Sequence, residues 1–208
     1  ERDSGSVIYF IAMWSVLFNH SWIDGIAIII RLRADCFDRV GDRLIAALWL
    51  GIVLLANGLL LISLGLPLSP TVGLAIAIGI SGLLLSWAPI RAELESLWRV
   101  KSLPVVTAII GCSLLTAVYM TSQVTWFDTG LYHFGAIRWL SEFGTVPGLA
   151  LLIDNLGFTS SWFALAAPFS VKSIAPRVSA MANGFVFLIF ICHGFLALWY
   201  WFTGKARI

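Results

Sequence analysis

One short stretch of the chain carries most of the side chains that could do chemistry. The segment FDTGLYHFGAIRWL, residues 127–140, places an aspartate, a tyrosine, a histidine and an arginine close together in otherwise apolar sequence. On a helix, Asp128 and Tyr132 share one face, because residues four apart are neighbours. The same spacing relates Thr129 to His133. The segment is therefore a candidate active site, with Asp128, Tyr132 and His133 as its reactive groups.

The residue types in this segment define the chemistry that it could support. Asp128 would lie at the amino end of a helix, where the helix dipole favours an ionised carboxylate. Such a carboxylate could act as a general base or bind a divalent metal ion. His133 could transfer a proton or contact a phosphate, and Arg138 could bind a phosphate or the acceptor substrate. In the structural alternative, Asp128 only caps the helix and His133 is a solvated loop residue.

The composition is that of a membrane protein. The 208 residues are 60% hydrophobic and 12% charged, with a mean hydropathy of +0.94 and a net charge of +2. No basic cluster indicates a nucleic-acid partner. Apolar runs of about 20 residues predict an all-α, polytopic transmembrane bundle, forming one membrane domain over residues 1–208 or a fragment of a longer protein. The six predicted spans are 7–30, 44–64, 71–88, 103–121, 149–171 and 179–202.

The basic residues predict the orientation of this bundle. With six spans, one side receives nine of them: Arg31, Arg33, Arg39, Arg43, Arg91, Arg99, Lys101, Lys172 and Arg177. The other side receives four: Arg2, Arg138, Lys205 and Arg207. The positive-inside rule then makes loop 122–148 and both termini non-cytoplasmic, in a bacterial inner membrane or a thylakoid. The span over 149–171 is the weakest, and if it were re-entrant the last helix would invert while loop 122–148 stayed outside.

The loop itself has the pattern of an interfacial helix. Apolar residues recur at helical spacing over 129–143, while Arg138, Ser141 and Glu142 occupy another face. Gly144 could end this helix. Trp126 and Trp139 suit the level of the lipid headgroups. We therefore expect an amphipathic helix that lies on the outer membrane surface.

Two further histidines lie within predicted spans. His20 and Asp24 are four apart in the first span, and His193 precedes Gly194 in the last. Ionisable residues at membrane depth are hypotheses of function by default. His20 and Asp24 could form an interhelical polar clamp or transfer protons, and either histidine could ligate a tetrapyrrole metal.

Two segments resemble a known group of proteins. FDTGLYHFGAIRWLSEFGTVPGLALL and LGFTSSWFALAAPF, together residues 127–169, resemble uncharacterised multi-pass proteins of cyanobacteria and other bacteria, which in turn look like the GT-C superfamily of membrane glycosyltransferases. The resemblance implies sugar transfer from a polyprenyl-phosphate donor at the outer face. It also implies that Asp128 is the essential acidic residue of an outward loop, with Tyr132 and His133 beside it.

The short chain, and an acidic loop that follows the fourth span, also support a different function. The protein could be a non-enzymatic accessory or assembly subunit of a large photosynthetic or respiratory membrane complex. Its partners would then be other membrane subunits and lipids, and its cofactor a chlorophyll or another pigment in place of a divalent metal ion.

Overall fold

The computed structural model describes residues 4–34, 36–99, 103–122, 126–157 and 159–203. These residues contain α-helices, 3-10 turns and one π-helical turn, and no strand occurs among them. Arg2, Lys101, Lys205 and Arg207, which entered the predicted charge balance, lie outside the described residues. The α-helices are α1 (Ser4–Arg31), α2 (Val40–Ile62), α3 (Pro70–Leu85), α4 (Ala88–Arg99), α5 (Leu103–Met120), α6 (Phe134–Phe143), α7 (Ser161–Ala166) and α8 (Ser179–Phe202).

Three of these helices are long and apolar enough to cross a membrane, namely α1, α2 and α8. α3 reaches the necessary length only together with α4, from which it is bent by 93°. α5 is apolar but shorter. The all-helical class and the presence of membrane-length helices are thus confirmed. Five of the six predicted spans each correspond to one α-helix.

The fifth predicted span, over residues 149–171, is wrong as a continuous helix. It consists of short 3-10 turns at Leu149–Leu151 and Asp154–Gly157, then α7, then a final turn at Ala167–Phe169. The polar pair of Asp154 and Asn155 and the glycine that follows favour a turn, and Pro168 cannot continue a helix interior. α7 begins as a new helix after Ser160, because the Ser160 hydroxyl accepts a hydrogen bond of 3.3 Å from the Phe163 amide.

α7 is buried within the protein. Its Ala164, Leu165 and Ala166 are at most 1% exposed, and they contact α2, α6 and α8. The chain then returns to the end of the bundle where α1 begins, since the Tyr9 hydroxyl donates to the Phe169 carbonyl at 3.1 Å. We call this end the Ser6 end and the opposite one the Arg31 end. The segment thus enters and leaves the bundle at the same end.

α1 and α2 cross antiparallel at a seam of small residues. A Cβ atom at Gly25 would overlap the carbonyl of Ala47, and one at Gly51 would overlap the carbonyl of Ser21. On each helix the two small residues are four apart, the spacing that lets helix backbones approach closely in membranes. This seam sets the centre of the core.

α8 runs parallel to α1. Trp14 Nε1 donates to the Met181 carbonyl at 2.9 Å near the Ser6 end, and the guanidinium of Arg39 lies 4.4 Å from the Tyr200 ring centre at the Arg31 end. Six alternating spans would make α8 antiparallel to α1. Because the predicted fifth span turns back, the last helix is inverted relative to that prediction.

The other two apolar helices, α3 and α5, also alternate in direction. Gly73 in α3 lies against Pro168 near the Ser6 end, and farther along α3 Ser81 bonds to His20 midway along α1. α3 therefore runs parallel to α1. α5 runs the opposite way. Met120 at its end packs beside Gly184, which lies next to Trp14 in the half of α8 closer to the Ser6 end.

Candidate functional site

The predicted amphipathic helix is present, with an unusual first turn. Thr129–His133 forms a π-helical turn, in which the Phe134 amide donates to the Thr129 carbonyl, and α6 continues to Phe143. Single π-helical turns occur frequently at functional sites. The buried face of α6 is Ala136, Ile137, Leu140 and Ser141.

α6 is fixed to the turn that joins α2 to α3. The Leu68 amide donates to the Leu140 carbonyl at 2.8 Å, and the Thr145 amide donates to the Ser63 carbonyl at 2.7 Å. Gly144 ends the helix with a φ of 76°, where a Cβ would overlap the Ser63 carbonyl. Because Ser63 follows α2 directly, these bonds place α6 at the Ser6 end of the bundle.

Asp128 lies at the start of the π-helical turn and is exposed. Its side chain makes no capping hydrogen bond to this turn, so the structural alternative of a simple cap has no bond to support it. Arg138 is also exposed and pairs with Glu142 at 2.8 Å. Neither residue lines the cavity described below.

His133 faces the protein. Its half-buried ring lies 4.4 Å from the ring centre of Tyr132 in an edge-on arrangement, and 5.2 Å from that of Phe163 in α7. The structure therefore does not bring all three predicted residues, Asp128, Tyr132 and His133, together. Tyr132 and His133 are in ring contact, while Asp128 projects at the beginning of the segment.

A cavity of about 280 Å³ lies beside His133, between the π-helical turn, α6, α7 and the first turns of α8. Trp162 Nε1 donates to Asn183 Oδ1 at 2.7 Å across one wall. The lining combines aromatic rings with hydroxyl, amide and imidazole groups, a mixture typical of small-molecule sites. The lining residues are His133, Ile137, Ser160, Trp162, Phe163, Ala166, Ser179 and Asn183.

Most of these residues were missed by the sequence reasoning. Ser160 and Trp162 lie in a range predicted to be a span, and Ser179 and Asn183 lie at the start of another. Only an inverted α8 brings Asn183 to the same end of the bundle as His133. The one sequence feature that indicated a new helix here was the pair of serines at the start of α7, because serine is favoured at the residue before a helix, as Ser160 is.

The polar residues inside the helices are separated from this cavity. His20 Nδ1 and Ser81 Oγ share a hydrogen bond of 2.7 Å, so His20 joins α1 to α3 and does not pair with Asp24. Asp24 is buried, and its Oδ1 has no hydrogen-bond partner in the structure. His193 is exposed on α8, and the space beside Gly194 is open.

The metal ion at Asp128 stays a prediction. Within the described ranges, no three His, Cys, Asp or Glu side chains are close enough together to hold one. The described cysteines, Cys36, Cys112 and Cys192, are free thiols.

The fold and this site define the class of protein: an all-helical protein with membrane-length helices and a polar, aromatic cavity at one end. The chain belongs to the family described as Domain of unknown function (DUF8201), whose model matches residues 7–208. No curated protein and no solved structure matches it.

Proposed function

We propose that the protein crosses a membrane five times, through α1, α2, α3, α5 and α8, with the Ser6 end on the non-cytoplasmic side. The alternating directions of these helices support this topology, and α4 bends across the Arg31 end. The described basic residues favour the same orientation, because more of them lie at the Arg31 end. That end has Arg31, Arg33, Arg39, Arg43, Arg91 and, at the end of α4, Arg99, and the Ser6 end has Arg138, Lys172 and Arg177.

At its non-cytoplasmic end the protein would bind a polyprenyl-phosphate sugar and transfer the sugar, as in GT-C-like glycosyltransferases. The observation that carries this proposal is the cavity under α6. Its volume of about 280 Å³ lies just below the range of ligand pockets, about 300–1,000 Å³. A cavity of this size suits a sugar with its phosphate, while the polyprenyl chain stays in the lipid along the exposed apolar faces of the helices.

The lining groups match the parts of such a donor. The Trp162 ring offers an apolar face for the sugar, and Ser160 and Asn183 offer hydrogen bonds to its hydroxyl groups. Ser179 is the first residue of α8, whose amino end has no side-chain cap. The helix dipole at such an end favours a phosphate.

In the proposed transfer, the acceptor hydroxyl oxygen attacks the anomeric carbon of the sugar and the bond from that carbon to the phosphate oxygen breaks. Polyprenyl phosphate leaves with the electron pair. The acceptor proton passes to His133, whose ring is at the cavity wall. Asp128 would receive the proton only if the segment that carries Asp128 moved over the bound donor. No step requires a metal ion.

A binding and transfer assay on the full-length protein tests this function. Radiolabelled undecaprenyl phosphate glucose would be added to the protein in lipid nanodiscs, with bacterial membranes as the source of acceptor. We expect transfer to fall by at least about tenfold in His133→Ala, as for loss of a general base or acid. Binding should weaken in Asn183→Ala. The matched control is Glu142→Gln, on the exposed face of α6. Full transfer and binding in both cavity variants would exclude the cavity as the site.

A second candidate function is that of an accessory subunit, and the placement of His193 favours it. An imidazole at mid-helix that faces away from its own bundle is costly in lipid, so such groups usually meet a partner. α8 also has large exposed aromatics along its length: Phe187, Phe190, Phe195, Trp199, Trp201 and Phe202. Native electrophoresis after mild solubilisation would show a stable larger complex that His193→Leu disrupts, and any bound pigment would give visible absorbance. A single-chain particle without pigment would argue against this function.

A further inference from the structure

The most unusual buried groups lie far from the cavity, at the seam of α1 and α2. Ser21 is fully buried and Asp24 is 1% exposed, and they lie three residues apart on α1. Three buried side-chain atoms in this stretch have no hydrogen-bond partner in the structure, namely Ser21 Oγ, Trp22 Nε1 and Asp24 Oδ1. Such atoms are rare, because burying a polar group without a partner costs free energy.

The unpaired state of Ser21 is not a general property of hydroxyls in these helices. Other serines and threonines bond back to the carbonyl four residues earlier: Ser15 to Ile11, Thr107 to Leu103 and Ser113 to Ile109, at 2.8–2.9 Å. Ser21 does not use this option, although it is the most buried of them. Its oxygen is therefore available to a ligand.

Asp24 also lacks a charge partner. The charged or titratable groups on neighbouring elements are engaged elsewhere: His20 with Ser81, and Arg43 with Glu93 at 2.6 Å and with the Ala34 carbonyl at 3.4 Å. None of the ion pairs identified between described residues includes Asp24. An ionised carboxylate at this depth, about 10 Å along α1 from Arg31, needs a positive charge beside it.

We propose that Ser21 and Asp24 form a binding site for a hard monovalent cation of the size of Na⁺. Hydroxyl and carboxylate oxygens are ligands for hard cations. A single carboxylate balances one positive charge, which favours a monovalent over a divalent ion. A proton would satisfy Asp24 alone and leave Ser21 unpaired, and a water molecule would bring no charge. This site goes beyond the proposed sugar transfer and does not depend on it.

Thermal unfolding of the full chain in detergent tests the site, with Na⁺ as the probe and choline chloride at equal concentration as the ionic-strength control. We expect the unfolding temperature of the wild type to rise with NaCl above its value in choline chloride, because a ligand that binds only the folded state stabilises it. Asp24→Asn should lose this difference. Ser21→Ala should bind Na⁺ about tenfold more weakly, as expected for one lost ligand.

The control variant is Glu142→Gln, which removes an exposed acid and should keep the full response to Na⁺. If Asp24→Asn does not fold, equilibrium dialysis of the wild type with radioactive sodium decides the question on its own. One bound ion per chain supports the site, with weaker binding in Ser21→Ala. The proposal is overturned by an absence of sodium binding, or by equal unfolding temperatures in the two salts.

Discussion

Arg177 Nη1 donates a hydrogen bond of 3.2 Å to Ser6 Oγ, so the residues just before α8 lie beside the first residues of α1. This contact and the bond from Trp14 to Met181 make the two helices parallel. A chain with six alternating spans would have Ser6 and Arg177 on opposite sides of the membrane. The contact thus argues against six alternating spans and agrees with the five that we propose.

The first prediction concerns the side on which α8 ends. A reporter fused after Thr203 should be cytoplasmic in the five-crossing topology, so a fused green fluorescent protein should fluoresce and a fused alkaline phosphatase should be inactive. A phosphatase inserted after Gly148, between α6 and α7, should be active. An active phosphatase after Thr203 would support six spans. In addition, Ser6→Cys and Arg177→Cys should cross-link in a background without Cys36, Cys112 and Cys192.

The difference between the predicted and observed topology has one physical origin. Hydropathy measures whether a segment avoids water, and Ala164–Ala167 avoids water by packing inside the protein. A span in lipid and a buried re-entrant segment therefore look alike in composition. The signals that separate them are Asp154, Asn155 and Pro168. Once this segment turns back, the direction of α8 follows.

Only the part of the candidate site that lies within one continuous segment of the sequence was predictable. The spacing within 129–143 predicted both the helix and a role for His133, and the structure places His133 at a cavity. The π-helical turn was not predictable from that spacing, and Asp128, at its start, lies outside the cavity lining. Ser160 and Asn183 come from two other elements, and their meeting depends on the inverted α8.

A second prediction compares two glycines that differ only in their surroundings. Gly25→Ala should strongly destabilise the protein, because the new methyl would overlap the Ala47 backbone at the seam. Overpacking of this kind costs about 1–3 kcal/mol, and more where backbone must shift. Gly58→Ala, on α2 with open space around it, should be neutral or stabilising by up to about 1 kcal/mol, because alanine favours helix. Unfolding temperatures in detergent measure both, and equal effects would contradict the close crossing.

A third prediction ranks two ion pairs by their burial. Arg43 and Glu93 join α2 to α4 with side chains 19% and 24% exposed, whereas Arg138 and Glu142 are 60% and 46% exposed. A double-mutant cycle on the first pair should give a coupling free energy of about 1–3 kcal/mol. The second pair should give about 0.5 kcal/mol or less and lose it in high salt. A coupling free energy for Arg43 and Glu93 as small as that for Arg138 and Glu142 would mean that this ion pair does not stabilise the position of α4.

A fourth prediction separates the two properties that Trp162 brings to the cavity. Trp162→Phe keeps an aromatic ring but loses the hydrogen bond to Asn183, and Trp162→Ala loses both. If the ring forms the apolar wall for a sugar, the alanine variant should bind undecaprenyl phosphate glucose about tenfold more weakly than the phenylalanine variant, an effect of about 1.4 kcal/mol. Trp126→Ala is the matched control, because Trp126 is 81% exposed and outside the lining. Binding measured in nanodiscs checks the order. If the phenylalanine and alanine variants were equally weakened, the bond that orients Asn183 would be the important feature, and the ring would have no part in recognising the sugar.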